Sequence, residues 1–474
     1  MIRALRFWLL IGAGLAASAG ASAQMLEPPD NHYFTSQGSW GQKYPDQWAL
    51  QRIGFDATPN SAWRLVKKNA QPVIVAVIDT GLDWNHRNID PENIWRNPKE
   101  TAGNGVDDDK NGYIDDVIGW DFFDRDGKPW DFDGHGTFVS GIIAGSWKDK
   151  NGIAGINPFA RLMVLKAVNN FGHSRISYVS EAIAYAADNG ARVINLSLGG
   201  KESTKVAQAA IDYAYSKGVV IVVAAGNEGA DVSKFGITGS DKVLTVAATG
   251  FDDQRAIFSN FGKISVAAPG LDILSMRGRR TDTMLGIEGV KYTAGAADVG
   301  DDKRYYRASG TSFSTPLVSG LASLMIANDP TLTNRQVMNI IKSTARDVGT
   351  PGVDQYTGYG IIDARAALSA PKDYFLFAGI NRVEVVQKGS AQVVRVRGTA
   401  DANALKTARI EIGQGEAPTN WTTIGAAAKG AGPDNVLGDI PALKFEGAKV
   451  WQIRVVVTHS NGSTREAHFR LSLG

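Results

Sequence analysis

The sequence predicts an α/β domain, with a parallel sheet flanked by helices, followed by a smaller all-β domain. Short runs rich in valine and isoleucine recur between about residues 71 and 370, with helix-like segments between several of them. From about residue 374 the pattern changes to alternating polar and apolar residues, interrupted by glycine, proline, asparagine and aspartate. A chain of 474 residues has room for two or three domains of roughly 100–200 residues each.

Five runs in the first part of the chain are predicted to be buried parallel strands, because they are short, apolar and β-branched. They are VIVAVID (73–79), RVINLSLG (192–199), GVVIVVAAG (218–226), KVLTVAAT (242–249) and KISVAAPG (263–270). Helices are predicted over residues 177–190 and 204–218, which both end in glycine. This alternation predicts right-handed crossovers and a functional site at the carboxyl ends of the strands.

The last part of the chain, residues 374–474, is predicted to form an antiparallel β-sandwich of the immunoglobulin or fibronectin type III kind. A disordered tail is the alternative. Trp421, Trp451 and the many valines and isoleucines argue against it, because disordered segments are poor in such residues.

Residues 1–23 are predicted to be a secretory signal peptide. Two arginines precede an apolar run that ends in the small-residue pattern ASA at 21–23. A short membrane anchor is the alternative, but the glycine-rich run ends in a processing site. We therefore expect a secreted protein, extracellular or periplasmic, without stable membrane insertion after cleavage.

The charge balance indicates which partners to expect. A formal net charge of +2, with 21% charged residues, lacks the concentrated basic character that nucleic acid or a membrane surface would require. The chain has no cysteine, so extra stability must come from a large core or a bound metal rather than from disulfides. We expect a monomer.

The candidates for a catalytic base are few, since the chain has only six histidines. His135 lies between two glycines just before an apolar helix, in DFDGHGTFVSGIIAG, where its ring can project from closely packed backbone. A structural or solvated histidine is the alternative at this position. The remaining histidines have no comparable context; they are His32, His86, His173, His459 and His468.

Three polar residues lie where partners of such a base are expected. Asp79 ends a buried strand, where it either orients a histidine or caps a turn. Asn227 follows another strand, where it either donates to an oxyanion or forms a turn. Ser312, in ASGTSFSTPLVSG, is either a nucleophile or a helix cap.

These motifs occur together in one order along the chain. They are VAVIDTGLD around Asp79, GHGTFVSGIIAG around His135, INLSLGG at 194–200, AAGNEG around Asn227 and SGTSFSTPLVSG around Ser312. From about Tyr44 to Ser369 the chain resembles the subtilisin-like serine proteases, the subtilase family, in the secreted bacterial type with a C-terminal β-sandwich. The order Asp, His, Ser is also that of the family.

The resemblance implies a subtilisin-like fold and the role of each site residue. Ser312 would attack the peptide carbonyl, His135 would transfer the proton and Asp79 would hold the imidazole. The Asn227 side chain and the Ser312 backbone N–H would bind the oxyanion, and the substrate would be a protein or peptide. The residues that resemble the substrate-pairing edge of the family are Ser197, Leu198 and Gly199.

The chain departs from the family pattern in several places. Phe138 and Leu317 occupy positions where histidine is common, and both are expected to lie on apolar helix faces. The stretch from Met276 to Arg307 is longer and more polar than usual, and we expect a loop near the active site. KFGITGSDKV (234–243) lacks the usual proline, so side-chain specificity is not predicted.

A metal site is predicted in NGVDDDKNGYIDDVIGWDF, where oxygen ligands at alternate positions and a glycine match the first half of an EF-hand loop. A solvated acidic turn is the alternative, but related insertions in the subtilase family bind Ca²⁺. KDKNGIAG at 148–155 resembles the calcium loop that follows the histidine helix in the family, which implies a weaker second site with Asp149 as its side-chain ligand. The ligands predicted for the first site are Asp107, Asp109, Asn111, Tyr113, Asp115 and Asp116.

The predicted catalytic domain comprises residues 44–370, preceded by an extension at 24–43. That extension is too short for the folded inhibitory pro-domain common in secreted subtilases, so we expect folding without one. Two other functions remain open on the same scaffold. One is peptide ligation or cyclisation, in which an amine intercepts the acyl-enzyme, and the other is binding by a catalytically inert protein.

Overall fold

The computed structural model describes residues 24–199, 204–233, 235–279, 297–432 and 434–473. The predicted signal peptide, residues 1–23, therefore lies outside the described residues, as does Lys234 of the segment without the usual proline. Among the described helices, none combines the length and the apolar character that a membrane span requires.

The first domain is built on a seven-stranded sheet whose neighbouring strands all run parallel. Its strands are β1 (Val73–Asp79), β2 (Gly119–Asp121), β3 (Ala160–Lys166), β4 (Val193–Leu196), β5 (Val220–Ala224), β6 (Leu244–Thr249) and β7 (Val266–Pro269). They lie in the order β2-β3-β1-β4-β5-β6-β7. The predicted parallel α/β sheet is confirmed.

Helices cover both faces of this sheet. Side chains of successive strand residues point to opposite faces, and since both faces are apolar, each must be buried. The helices are α1 (His32–Thr35), α2 (Trp48–Arg52), α3 (His135–Ala144), α4 (Ile176–Asp188), α5 (Lys205–Ser216), α6 (Thr311–Asn328), α7 (Asn334–Thr344) and α8 (Ala364–Ser369). On β1, Val75 and Val77 belong to the core that contains α3 and α6, whereas Ala76 and Ile78 belong to the core beneath α4 and α5.

A small antiparallel sheet leads into α6. Its strands are β8 (Ile273–Met276), β9 (Asp298–Val299) and β10 (Tyr305–Ala308), in the order β8-β10-β9. The described ends of the predicted loop at 276–307 therefore form paired strands. Its middle, residues 280–296, lies outside the described residues.

The predicted extension at 24–43 packs into the α/β domain. Tyr33 and Phe34 are buried in the core, and Phe34 stacks edge-on against Trp63. The Asn31 amide is fully buried and donates to the carbonyls of Ser146 and Ile153 in the loop after α3. This segment therefore supports the loop that follows the helix of His135.

The C-terminal part folds as two antiparallel sheets, which confirms the predicted all-β domain. One sheet has the order β11-β12-β15 and the other β14-β13-β16-β17. The strands are β11 (Leu376–Lys388), β12 (Ala391–Ala402), β13 (Leu405–Gln414), β14 (Thr422–Ala426), β15 (Val436–Pro441), β16 (Val450–His459) and β17 (Thr464–Ser472). Val396, Ile410 and Ile453 are buried between them.

The two domains are joined through Arg465 of β17, which is only 7% exposed. Its guanidinium donates to the carbonyls of Ser343 and Ala345 at the end of α7, at 2.9 and 3.0 Å, and to that of Tyr359 at 3.0 Å. The carbonyls of Ser343 and Ala345, at the C-terminus of α7, have no intrahelical donor, and the helix dipole favours a cation there. Arg465 thus caps α7 from the second domain.

Candidate active site

The carboxyl ends of three central strands meet the starts of two helices. Asp79, the last residue of β1, contacts His135 at the start of α3. Ser197, just after β4, contacts Ser312 at the start of α6. Asn227, just after β5, contacts Thr311 of the same helix. The structure therefore gathers all four predicted catalytic residues at one edge of the sheet.

Asp79 and His135 form a hydrogen-bonded pair, with 2.7 Å between Asp79 Oδ1 and His135 Nδ1; the aspartate is buried and the imidazole is partly exposed. Asp79 is 1% exposed, and its Oδ1 also accepts from the Thr80 N–H at 2.8 Å. Because a carboxylate can only accept, His135 carries its proton on Nδ1 and leaves Nε2 unprotonated in the neutral ring.

Two opposing effects act on the pKa of His135. Burial, the largest single effect, disfavours the charged ring, but the charge and hydrogen bond of Asp79 together with the charges of Asp133 and Asp131 outweigh it, so that the pKa is raised to about 9. The carboxylates, Asp79 above all, therefore stabilise the imidazolium that forms when His135 accepts a proton.

Ser312 is the second residue of α6, and its hydroxyl donates to the Ser197 carbonyl at 3.0 Å. The Ser197 hydroxyl in turn donates to the Ser312 carbonyl at 2.7 Å. Among the described residues, no hydrogen bond joins Ser312 to His135; the next residue, Phe313, packs its ring 5.6 Å from the imidazole. The Ser312 hydroxyl thus lies near His135 but points to the backbone just after β4.

The orientation of the Asn227 side chain is fixed by Thr311. Asn227 Oδ1 accepts from the Thr311 backbone N–H at 2.9 Å and from its hydroxyl at 3.0 Å. The amide nitrogen Nδ2 has no acceptor among the described residues. The Ser312 N–H lies within the first turn of α6, where no intrahelical acceptor is available. Two N–H donors are therefore left for a ligand at this point.

A cleft of about 670 Å³ lies beside the Asp79–His135 pair, and neither Ser312 nor Asn227 is among the described residues that line it. Asp79 and His135 line its floor, and Ser197, Leu198 and Gly199, the predicted substrate-pairing residues, line one wall. The other wall comes from the segment after β3, where Phe171 is 80% exposed. The structure thus places the predicted edge beside the Asp79–His135 pair.

The comparison with known proteins identifies the family. The profile of the Subtilase family matches residues 70–360, which is more than half of the chain. The chain belongs to the subtilase family.

Two curated relatives and one solved structure show how far this similarity extends. The subtilase is 34% identical over 309 residues to the thermophilic serine proteinase of Bacillus sp. (strain AK1), a match that spans 65% of this chain and 64% of that protein. It is 30% identical to thermitase of Thermoactinomyces vulgaris, over 72% of this chain and 99% of that protein. A protease structure from Pseudoalteromonas arctica matches with a TM-score of 0.53 and 26% identity, over 72% of this chain and 99% of that one.

The two departures from the family pattern lie in the core of this subtilase. Phe138 is fully buried in α3 and packs its ring 4.4 Å from that of Phe313. Leu317 is 1% exposed in α6. Both lie on apolar helix faces, as predicted.

The predicted metal loop of the subtilase brings together two of its predicted ligands and one other residue. Oxygen atoms of Asp107, Asp109 and Glu100 lie within 4.8 Å of one another. Glu100 Oε2 is buried and has no partner among the described residues. Burial raises the pKa of Glu100, and nearby carboxylates add to the rise. An all-oxygen donor set with an unpartnered buried oxygen fits a hard cation such as Ca²⁺.

The other predicted ligands point elsewhere within the loop. The Asp115 carboxylate accepts from the N–H groups of Gly103 and Gly105, at 2.7 and 2.9 Å. Asp116 is fully buried and accepts from the amides of Asn97 and Asn111, both at 2.9 Å, and from the Tyr185 hydroxyl. The Tyr113 hydroxyl donates to Glu181 at 3.1 Å. Asp115 thus braces the loop internally, whereas Tyr113 and Asp116 hold it to α4.

At the second predicted site, Asp149 has a cationic partner from the chain itself. Its two carboxylate oxygens accept from the Arg87 guanidinium at 2.9 and 3.0 Å. The guanidinium thus supplies the positive charge beside this carboxylate.

Two residues of the site were not among the predicted ones. Glu100 precedes the metal loop and carries no motif of its own. Asp131 lies four residues before His135 and is fully buried between α3 and the loop after β1. The buried position of Asp131 depends on contacts that only the folded chain reveals.

Proposed function

We propose that this subtilase is a secreted serine endopeptidase that hydrolyses protein or peptide substrates. The observation that carries the proposal is the hydrogen-bonded Asp79–His135 pair, 2.7 Å between the bonded atoms, near Ser312 at the start of α6. Nucleophilic attack by a hydroxyl requires a base to accept its proton and a group to orient that base. Asp79 and His135 have the chemistry and the mutual contact for the last two roles, and Ser312, near them, has the hydroxyl for the first.

In the proposed reaction Ser312 first leaves its hydrogen bond with Ser197, since hydrogen bonds of a catalytic group often form only with substrate bound. Ser312 Oγ attacks the scissile carbonyl carbon while His135 Nε2 accepts the hydroxyl proton. The same nitrogen then returns a proton to the leaving amine as the C–N bond breaks. Water, deprotonated by His135, hydrolyses the acyl-enzyme and frees Ser312.

The negative oxygen of each tetrahedral intermediate would be stabilised by Asn227 Nδ2 and the Ser312 backbone N–H. Both donors are fixed before substrate binds, because Thr311 holds the Asn227 amide and α6 holds the backbone. Preorganised donors stabilise developing charge without reorganisation, and the dipole of α6 favours negative charge at its start.

The substrate would bind as an extended strand along Ser197, Leu198 and Gly199. Main-chain hydrogen bonds of this kind do not depend on the substrate's side chains, which suits proteins in general. The wall containing Phe171 would face the other edge of the bound strand.

The hydrolytic function is tested by incubating the purified protein with an unfolded protein substrate and identifying the products by mass spectrometry. We expect internal peptide bonds to be cleaved, and Ser312→Ala to abolish cleavage. Ser216→Ala, at the end of α5, is a matched control that should retain full activity. Cleavage by Ser312→Ala at the wild-type rate would refute the proposal. In a parallel reaction that contains an added amine, products joined to that amine would instead favour ligation.

We also propose that Ca²⁺ binds Glu100, Asp107 and Asp109. When bound, the cation would neutralise the crowded carboxylates and stabilise the loop. We expect EDTA to lower the melting temperature of the wild type, and Ca²⁺ to restore it. Asp107→Asn should reduce this effect, whereas Asp212→Asn, an exposed carboxylate paired with Lys242, should not. A wild-type melting temperature that is the same in EDTA and in Ca²⁺ would contradict the site.

Export is tested by N-terminal sequencing of the mature protein. Cleavage after Ala23 predicts Gln24 as its first residue, in protein recovered outside the cytoplasm. Retention of Met1 in a cytoplasmic protein would contradict the proposal.

A further inference from the structure

Asp131 links the two parts of the chain that carry Asp79 and His135. Its Oδ1 accepts from the Thr80 hydroxyl at 2.9 Å and from the Gly134 N–H at 2.6 Å. Its Oδ2 accepts from the N–H and the hydroxyl of Thr137, at 2.8 and 2.6 Å. One buried carboxylate therefore contacts the residues that flank Asp79 on one side and His135 on the other.

The hydroxyls of the two threonines extend this link. Thr80 Oγ1, besides donating to Asp131, accepts from the Gly136 N–H at 2.8 Å. Thr137 Oγ1 accepts from the Asp83 N–H at 2.9 Å. Each hydroxyl thus joins the loop after β1 to the start of α3, and Asp131 sets the orientation of both by accepting a hydrogen bond from each.

Glycines allow the two segments to approach this closely. A Cβ atom at Gly136 would lie 2.3 Å from the Gly81 carbonyl oxygen, and one at Gly81 would lie 2.5 Å from that of Pro129. The backbones are therefore in direct contact, so that a small shift of either one moves Asp79 relative to His135.

A carboxylate is the group that suits this position. Asp131 is fully buried, and among the described residues no lysine, arginine or histidine forms an ion pair with it. All of its partners are hydrogen-bond donors, and several are N–H groups at the start of α3, where the helix dipole favours negative charge. An asparagine would direct an NH₂ group at some of these donors and leave them unsatisfied.

We propose that Asp131 is a positioning residue for the reaction. It fixes the position of Asp79 relative to His135 through Thr80 and Thr137. Its negative charge also favours the imidazolium formed during proton transfer. This role rests on the proposed endopeptidase function. Asp131 does not touch the substrate.

The test compares kinetics of the wild type with Asp131→Asn, after active-site titration with a fluorophosphonate. We expect kcat to fall about 10- to 100-fold with KM within about two-fold, because transition-state rather than ground-state interactions are lost. We also expect the acid limb of kcat/KM to move to lower pH by about half a unit to one unit, because a negative charge near His135 is removed.

Two Thr80 variants keep the test decisive if Asp131→Asn does not fold. Thr80→Val removes the hydroxyl but keeps the shape, and it should lower kcat about 10-fold. Thr80→Ser keeps the hydroxyl and should retain a kcat near that of the wild type. A Thr80→Val enzyme with wild-type kcat would overturn the proposal.

Asp253→Asn provides a matched control, since Asp253 is a buried carboxylate paired with Arg52 and Arg346 outside the cleft. It should lower the melting temperature without changing kcat or the acid limb. If Asp131→Asn behaves in the same way, Asp131 is structural only and the inference is refuted. A wild type without turnover would refute the endopeptidase function instead.

Discussion

At the scale of single residues, the Asn227 side chain has only one orientation that satisfies its neighbours. The Thr311 backbone N–H can only donate, so it must meet the oxygen of the amide and not its nitrogen. The NH₂ group is then left to donate to the proposed oxyanion.

Replacing Asn227 therefore tests the oxyanion site. We expect Asn227→Ala to lower kcat by about 10²–10³-fold, the loss typical of removing one such donor, with little change in KM. Steady-state kinetics on a peptide substrate measure both quantities. Asn189→Ala, at the end of α4 on the opposite edge of the sheet, should leave both unchanged. An equal loss in both variants would contradict the assignment.

The raised pKa of His135 predicts the acid limb of the pH profile. His135 can act as a base only when neutral, so activity should rise with pH and reach half of its maximum above about 6.5, the pKa of free histidine. Asp79→Asn should move this limb to lower pH, because the main source of the rise is lost, and should lower kcat by about 10⁴-fold. A limb at the same pH in both enzymes would contradict this account.

The sequence predicts the four catalytic candidates because each lies in a short motif at a strand end or helix start. Asp131 was not predictable, since Asp124, Asp126 and Asp133 are equally acidic neighbours of His135. What distinguishes Asp131 is its contact with Thr80, 51 positions away in the chain. Glu100 was not predicted either, because its sequence context does not distinguish it and only the fold brings it close to Asp107 and Asp109.

At the scale of elements, the segment after β1 depends on a buried neutral histidine. His86 is 2% exposed, its Nε2 donates to the Arg304 carbonyl at 2.7 Å, and its Nδ1 accepts from the Asn88 N–H at 3.1 Å. Burial lowers the pKa of His86 to about 4, and the nearby Arg304 charge adds to this, although Asp83 and Asp149 oppose it. The folded state therefore favours the neutral ring.

Stability should consequently depend on pH in a defined window. As the pH falls below about 6.5 the unfolded state binds a proton at His86 before the folded state does, so the free energy of unfolding decreases until about pH 4. The contribution of this residue is about 3 kcal/mol. Urea denaturation of the wild type and of His86→Gln across this range measures it. The same slope in both proteins would contradict the prediction.

Five of the seven strands of the parallel sheet were predictable because they are continuous apolar runs, as in β1. The central strand β3 was not among the predicted strands, although it pairs with β1 along its whole length. Its sequence, ARLMVLK, has an arginine, a lysine and a single β-branched residue, so its pattern is weak. Tertiary pairing, rather than local preference, places this strand in the sheet.

At the scale of the whole molecule, Arg465 makes the stability of the α/β domain depend on the sandwich. Its loss would leave the carbonyls at the end of α7 without donors in a buried junction. We expect Arg465→Ala to lower the free energy of unfolding by about 2–3 kcal/mol, and the melting temperature with it. Calorimetry measures the change.

Arg470→Ala is the control for Arg465→Ala. Arg470 lies on the same strand, is half exposed and pairs with an exposed glutamate, so its loss should change stability by less than about 1 kcal/mol. Equal destabilisation by the two variants would show that the junction contacts of Arg465 have no special role.

The central claim is that Ser312 is a nucleophile activated by His135. Labelling with a fluorophosphonate, followed by peptide mapping, tests it most directly, because this reagent modifies activated serines. We predict a single label at Ser312 in the wild type, formed far more slowly in His135→Ala and absent in Ser312→Ala. A label on another serine, or equal labelling rates in the wild type and His135→Ala, would contradict the claim.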